Sequence, residues 1–182
     1  ETAIGLGPNA LGHHPEHMGL DEAVSEWMLN DDRGVYHPSW AISLGWSEPG
    51  GHYRQVLDPD TGFDVSDQQV LSFRIMQRHD DDRNAGDLID LSIRIIDVHE
   101  NTASVPISAA TQGALRPNPA VGSGTQNKSV YETYRLPLTA FTDASEGLDL
   151  SAIRSIDWVM NDTESGAVTI DDVVFTNAGF CE

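Results

Sequence analysis

Short runs of β-branched and aromatic residues recur along this chain, most of them alternating apolar with polar positions. Breaks rich in Gly, Pro, Asn and Asp separate them. A period of two sends successive side chains to opposite faces of a strand and leaves little room for amphipathic helices. Residues 69–76 are the clearest run: Leu71, Phe73 and Ile75 take one face, Ser72 and Arg74 the other. In residues 88–97, Ile89, Leu91, Ile93 and Ile95 point inward against Asp90, Ser92 and Arg94. A turn at His99–Thr102 leads into a return strand to Ser108, with Ala103, Val105 and Ile107 inside and Pro106 on the wet side. Pro there suits an edge or a bulge. Residues 40–57 read as a second hairpin, Trp40–Trp46 and Tyr53–Leu57 around Ser47–Gly51. Residues 129–138 form another strand, and Thr139–Phe141 one helical turn. About nine short strands without a convincing helix predict an all-β antiparallel sandwich.

The closing stretch, 147–176, carries the most information. Two apolar runs flank Asn-Asp-Thr-Glu-Ser-Gly, a hairpin signature. Ile156, Trp158 and Met160 share a face. Strict alternation then groups Val168, Ile170, Asp172 and Val174 against Thr169, Asp171, Val173 and Phe175. An Asp-Asp pair inside an apolar strand costs free energy unless a cation or backbone donors neutralise it. The order Leu-Asp-Leu-Ser-x-Ile-x-Ser-Ile, turn, Gly-x-Val-x-Ile-Asp-Asp-Val-x-Phe resembles the closing hairpin of jelly-roll carbohydrate-binding modules and related galactose-binding-like domains. That resemblance implies a jelly-roll sandwich, a secreted protein with a fused catalytic or other domain, and a polysaccharide partner. It further implies a structural calcium tying the last strand to the N-terminal segment. Asp171 and Asp172 are the expected ligands. A partner is expected among Glu1, Asp21, Glu22 and Glu26, with Glu22 as its representative.

At 182 residues the chain suits a single domain, 1–182, with 1–39 as an irregular segment packing onto it. Within that segment, residues 21–29 read as a strand. The first residue is Glu, which marks a processed or excised segment. No run reaches membrane-span length. With 29 acidic residues against 10 basic, the net charge is -19. Such a surface repels nucleic acid and anionic membrane, and it suits cations or a salty habitat. The single Cys181 excludes an internal disulfide. His13, His14 and His17 form an imidazole cluster, but Pro15 works against a helix that would bring them together.

No nucleophile elbow, phosphate loop, zinc motif or paired Cys is present. The loops Asp58–Gly62 and Gln77–Asp87 are acid-rich, and a turn and a solvated loop are their simpler readings. Binding is therefore the better expectation. Aromatic faces match the C–H faces of sugar rings, and nearby polar groups orient them. Trp27, Tyr36, Trp40, Trp46, Tyr53, Tyr131, Tyr134 and Trp158 are the aromatic candidates, with Trp158 expected in the core. Trp46 and Tyr53 flank the Pro-Gly-Gly turn and are expected in the open. Tyr131 is expected on a wet face beside Arg135, and Trp40 completes the set. The expected function is a non-catalytic, polysaccharide-binding module with calcium. The alternatives are an adhesive or structural domain without a sugar ligand, and a small polysaccharide-degrading enzyme on the same fold.

Overall fold

Eleven strands build the domain in the computed structural model, which describes residues 4–5, 16–28, 39–78, 81–84, 88–117 and 130–177. They are β1 (Ile4–Gly5), β2 (Glu16–Met18), β3 (Glu22–Met28), β4 (Ser39–Trp46), β5 (Gly51–Val56) and β6 (Val70–Gln77). There follow β7 (Ser92–Asp97), β8 (Thr102–Pro106), β9 (Glu132–Pro137), β10 (Ile153–Met160) and β11 (Gly166–Thr176). A 3-10 turn spans Ile107–Ala109. The expected helical turn is a seven-residue helix, α1 (Leu138–Ala144), which buries Leu138 and Phe141. His13, His14 and Cys181 lie outside the described residues.

The strands form two antiparallel sheets. One runs β3-β4-β11-β6-β9, with β1 pairing β11 beyond the end of β4; the other runs β2-β5-β10-β7-β8. The expected sandwich is what forms, and β7 and β8 make the expected hairpin. Two other expected hairpins do not form. β4 pairs with β3 and β11, whereas β5 pairs with β2 and β10. In the closing stretch β10 lies in one sheet and β11 in the other. The turns at 47–50 and 161–165 therefore cross between layers. Alternation fixes which face of a strand is buried, and it is silent on which strand lies beside it.

Phe73 joins the layers. Its ring meets the Trp158 ring of the opposite sheet edge-on at 5.0 Å and stacks on Tyr134 of β9 at 5.7 Å. All three side chains are fully buried.

β11 departs from strict alternation. Val168 and Ile170 reach the core, and so do Val173 and Phe175. Between Asp171 and Val174 the register against β6 slips by one residue, and Asp172 takes φ 49°. This bulge reverses the phase of the strand. The grouping of Val168, Ile170, Asp172 and Val174 on one face is thereby corrected.

The loop Asp58–Gly62 is a self-capped turn. Asp58 accepts the Asp60 and Thr61 N–H groups at 3.0 Å each and the Thr61 hydroxyl at 2.7 Å. Gly62 closes it at φ 78°, where an added Cβ would stand 2.5 Å from the Ala152 carbonyl carbon. Gly62→Ala is expected to cost about 2 kcal/mol or more, from left-handed backbone strain plus a backbone clash. Chemical denaturation reads this directly.

On the outer face of the β2-β5-β10-β7-β8 sheet, Asp157 is fully buried between two guanidinium groups. Arg54 reaches it at 2.8 and 2.9 Å, and Arg94 from the other side at 3.0 Å through Nε. Burial alone would raise the Asp157 pKa, but these two arginines more than offset it and hold it low. Asp97, also fully buried, accepts N–H groups from His99, Asn101 and Asp149 at 2.8–3.0 Å. Its burial too is outweighed, by Asn101 first, so its pKa is lowered. The Thr61 N–H, with its hydroxyl, brings Asp58 to about 2.

Folded values below the unfolded value of about 4 mean that these carboxylates stabilise fully above that pH. The contribution is lost as pH falls through the lowered values. The melting temperature is expected to be level from about pH 7 to 5 and to fall steeply below about pH 4. A flat profile down to about pH 2 contradicts this.

Candidate functional site

The outer face of the β3-β4-β11-β6-β9 sheet follows from the core face. Leu71, Phe73, Ile75, Tyr134, Leu136, Val168 and Ile170 point inward, so their strand neighbours point out. Strand register sets these neighbours in rows. Ser43, Thr169 and Met76 form one, Asp171, Arg74 and Thr133 a second, and Val174, Ser72 and Arg135 a third. The middle of the face is closed: Ala41, Ser43, Thr169 and Asp171 are all buried. The β6–β9 side is open, with Thr133 and Arg135 exposed and Tyr131, Ser72 and Arg74 partly so.

Tyr131 lies where the sequence expectation put it, on this outer face with Arg135. It is half-buried, and the Arg74 guanidinium carbon sits 4.9 Å from its ring centroid, a cation–π arrangement. Its hydroxyl is buried without a hydrogen-bond partner among the described residues. Burial, with Asp171 nearby, pushes its pKa up, so it stays a protonated donor at neutral pH. Arg74 also pairs with Asp172 at 2.8 Å, and Asp171 Oδ1 accepts the Asp172 N–H at 2.8 Å. Alternation places Arg74 on the wet face, but its pairing with Asp172 is not legible there. The bulge brings Asp172 to it, and alternation carries no sign of a bulge.

Trp46 and Tyr53 are not surface platforms. Trp46 is 0 % exposed, and its indole N–H donates to the Thr163 carbonyl at 3.0 Å. Tyr53 is 3 % exposed, and burial raises its pKa to about 12. Because their strands belong to different sheets, both rings turn into the interlayer space instead of flanking an open hairpin. Trp40 pairs with Trp27 in the β3–β4 register, and its side chain lies outside the described residues.

The expected calcium trio does not converge. Glu22 sits opposite Gly45 on β4, while Asp171 follows Ile170, the partner of Ile42. The offset is about four residues, roughly 13 Å along the strand. Glu22 is instead paired with Arg78 at 2.7 Å and Arg83 at 3.0 Å, and Arg83 also binds Asp81 at 2.6 Å. Burial would raise the Glu22 pKa, but these arginines lower it overall. Among the described residues no group of three His, Cys, Asp or Glu is arranged to hold a metal ion. Asp171, Asp172 and Glu22 therefore do not fit one shared ion.

No protein-family model matches the chain, and no curated protein matches it. Solved structures do. A family 30 carbohydrate-binding module of a cellulosomal cellulase of Clostridium thermocellum aligns with TM-score 0.65 and 14% identity, over 99% of this chain and all of that one. The family 11 module from the same organism, in complex with a β-1,3-1,4-mixed-linked tetrasaccharide, aligns with TM-score 0.59 and 14% identity, over 97% and 96%. A family 29 module complexed with mannohexaose gives 0.51 and 12%, over 97% and 92%. At such identities the likeness establishes the fold, that of jelly-roll carbohydrate-binding modules.

Proposed function

We propose that this domain is a non-catalytic carbohydrate-binding module that holds a neutral polysaccharide along the open β6–β9 side of its outer sheet face. The observation that carries the reading is the strip formed by Tyr131, Arg74, Thr133, Arg135 and Asp172. It combines an aromatic ring with polar groups in rows. A hydroxyl-rich chain matches such a strip, its ring C–H groups meeting the aromatic and its hydroxyls the charged groups. The shared fold of modules solved with bound oligosaccharides supports the same reading. The net charge of -19 disfavours anionic polymers. In this proposal the domain belongs to a secreted protein and works beside a fused partner domain. A structural calcium is a separate proposal, to which the described residues assign no ligand set. A fall in melting temperature after exhaustive chelation supports it, and an unchanged curve counts against it.

Affinity electrophoresis in gels containing soluble mixed-linkage β-glucan, glucomannan or xylan tests the reading. At least one polymer is expected to retard the protein. Tyr131→Ala and Arg135→Ala are each expected to weaken retention about tenfold, the loss of one or two polar or stacking contacts. Tyr131→Phe isolates the hydroxyl. A folded protein that migrates unretarded through every gel overturns the proposal and favours an adhesive or structural domain.

A further inference from the structure

A cleft of about 460 Å³ opens at the end of the sandwich where the β6–β7 connection meets the β10–β11 turn. Arg83, Asn84, Leu88, Asp162, Glu164 and Ser165 line it. That volume lies within the range of about 300–1,000 Å³ usual for small-ligand sites.

Its walls are cross-linked. The Asn84 side chain donates to the Arg78 and Ala167 carbonyls at 2.7 Å each and accepts the Ala167 N–H at 2.6 Å. Ser165 Oγ donates to the Arg83 carbonyl at 3.2 Å. The Thr163 hydroxyl accepts the Asp90 N–H at 2.8 Å and donates to the Asp90 carbonyl at 2.9 Å. Ser92 Oγ donates to Asp162 at 2.8 Å. These bonds hold Asn84, Asp162, Thr163 and Ser165 in place, which lowers the ordering cost of a ligand there.

The lining also selects a chemistry. Leu88 is 58 % exposed, an apolar surface on the cleft wall. Among the described residues the one cationic side chain lining it, Arg83, is already engaged by Asp81 and Glu22. Asp162 and Glu164 are exposed acceptors. An anion would meet two carboxylates and a neutralised guanidinium. A neutral polyol would donate hydroxyls to the carboxylates and lay a C–H face on Leu88.

We propose that this cleft is a second binding site, for a neutral sugar of one or two rings, separate from the sheet face. It does not depend on the polysaccharide reading, since none of its lining side chains belongs to the Tyr131–Arg135 strip.

The test is an NMR titration that follows the Leu88 methyls and the Thr163, Glu164 and Ser165 amides. The probes are D-glucose, D-galactose, D-mannose, D-xylose and cellobiose at millimolar concentrations, with D-galacturonate as the anionic counterpart. At least one neutral probe is expected to shift these signals saturably, and galacturonate is expected not to. Glu164→Gln alone is expected to weaken binding several-fold, and Asp162→Asn with Glu164→Gln at least tenfold. Arg135→Ala is expected to leave the titration as it was. The proposal is overturned if no neutral probe gives a saturable shift or if galacturonate responds equally. It is overturned too if the folded Glu164→Gln protein binds as tightly as the parent, or if Arg135→Ala abolishes the shifts.

Discussion

Phe73→Ala is expected to cost about 4 kcal/mol, the range for deleting a buried aromatic ring from a packed core. The ring is fully buried and touches both layers, edge-on to Trp158 and stacked on Tyr134. Its loss removes apolar burial and leaves a cavity between two large aromatics, which cannot collapse into it without leaving their own partners. For a domain of this length each kcal/mol shifts the melting temperature by about 2–4 °C, so a drop of about 8–16 °C is expected. Phe73→Leu keeps most of the volume and is expected to lose less than half as much. A Phe73→Ala protein within about 1 kcal/mol of the parent would mean the two sheets do not meet through this ring.

The second large effect is expected at Asp157. This carboxylate is 0 % exposed and is held by Arg54 and Arg94, whose side chains are 26 % and 31 % exposed. Removing it leaves two guanidinium groups side by side without their shared anion, and Asp157→Ala is expected to cost about 3 kcal/mol. The arginines keep some contact with water, so the cost falls at the lower end of that seen for broken buried pairs. Arg54→Met or Arg94→Met alone leaves one partner in place and is expected to cost about 1 kcal/mol. The triple change to Met, Leu and Met is expected to recover most of the Asp157→Ala loss, because apolar packing replaces a desolvated charge cluster. Urea denaturation of the four variants checks the order. Equal stability of Asp157→Ala and the parent would contradict it.

Much of the core was legible in the chain. The inward positions of β6, β7 and β8 follow directly from alternation at Leu71, Phe73, Ile75, Ile93, Ile95, Ala103 and Val105. Tyr131 and Arg135 fall on the expected outer side for the same reason. What alternation does not encode is the identity of a strand's neighbour. Trp46 and Tyr53 were expected in the open because a tight turn joins their strands, yet that turn crosses between layers and buries both rings. The bulge at Asp172 was hidden because an αL residue leaves no mark on the pattern when it is Asp rather than Gly. Asp157 sits in the outward phase of an apolar run, and its two arginines come from strands far away in sequence, at Arg54 and Arg94. Glu22 illustrates the same limit. Its charge was legible, but its partners Arg78 and Arg83 depend on a loop folding back over Gly45.

The proposed polysaccharide site runs along the β6–β9 side of the outer sheet face. An amide-resolved titration of the folded protein with soluble mixed-linkage β-glucan, glucomannan or xylan oligosaccharides tests it most directly. Saturable shifts are expected along Ser72, Arg74, Thr133, Arg135 and Val174, with the opposite face at Arg54, Arg94 and Asp157 unmoved. Shifts confined to that opposite face, or no shift with any neutral oligosaccharide, would contradict it.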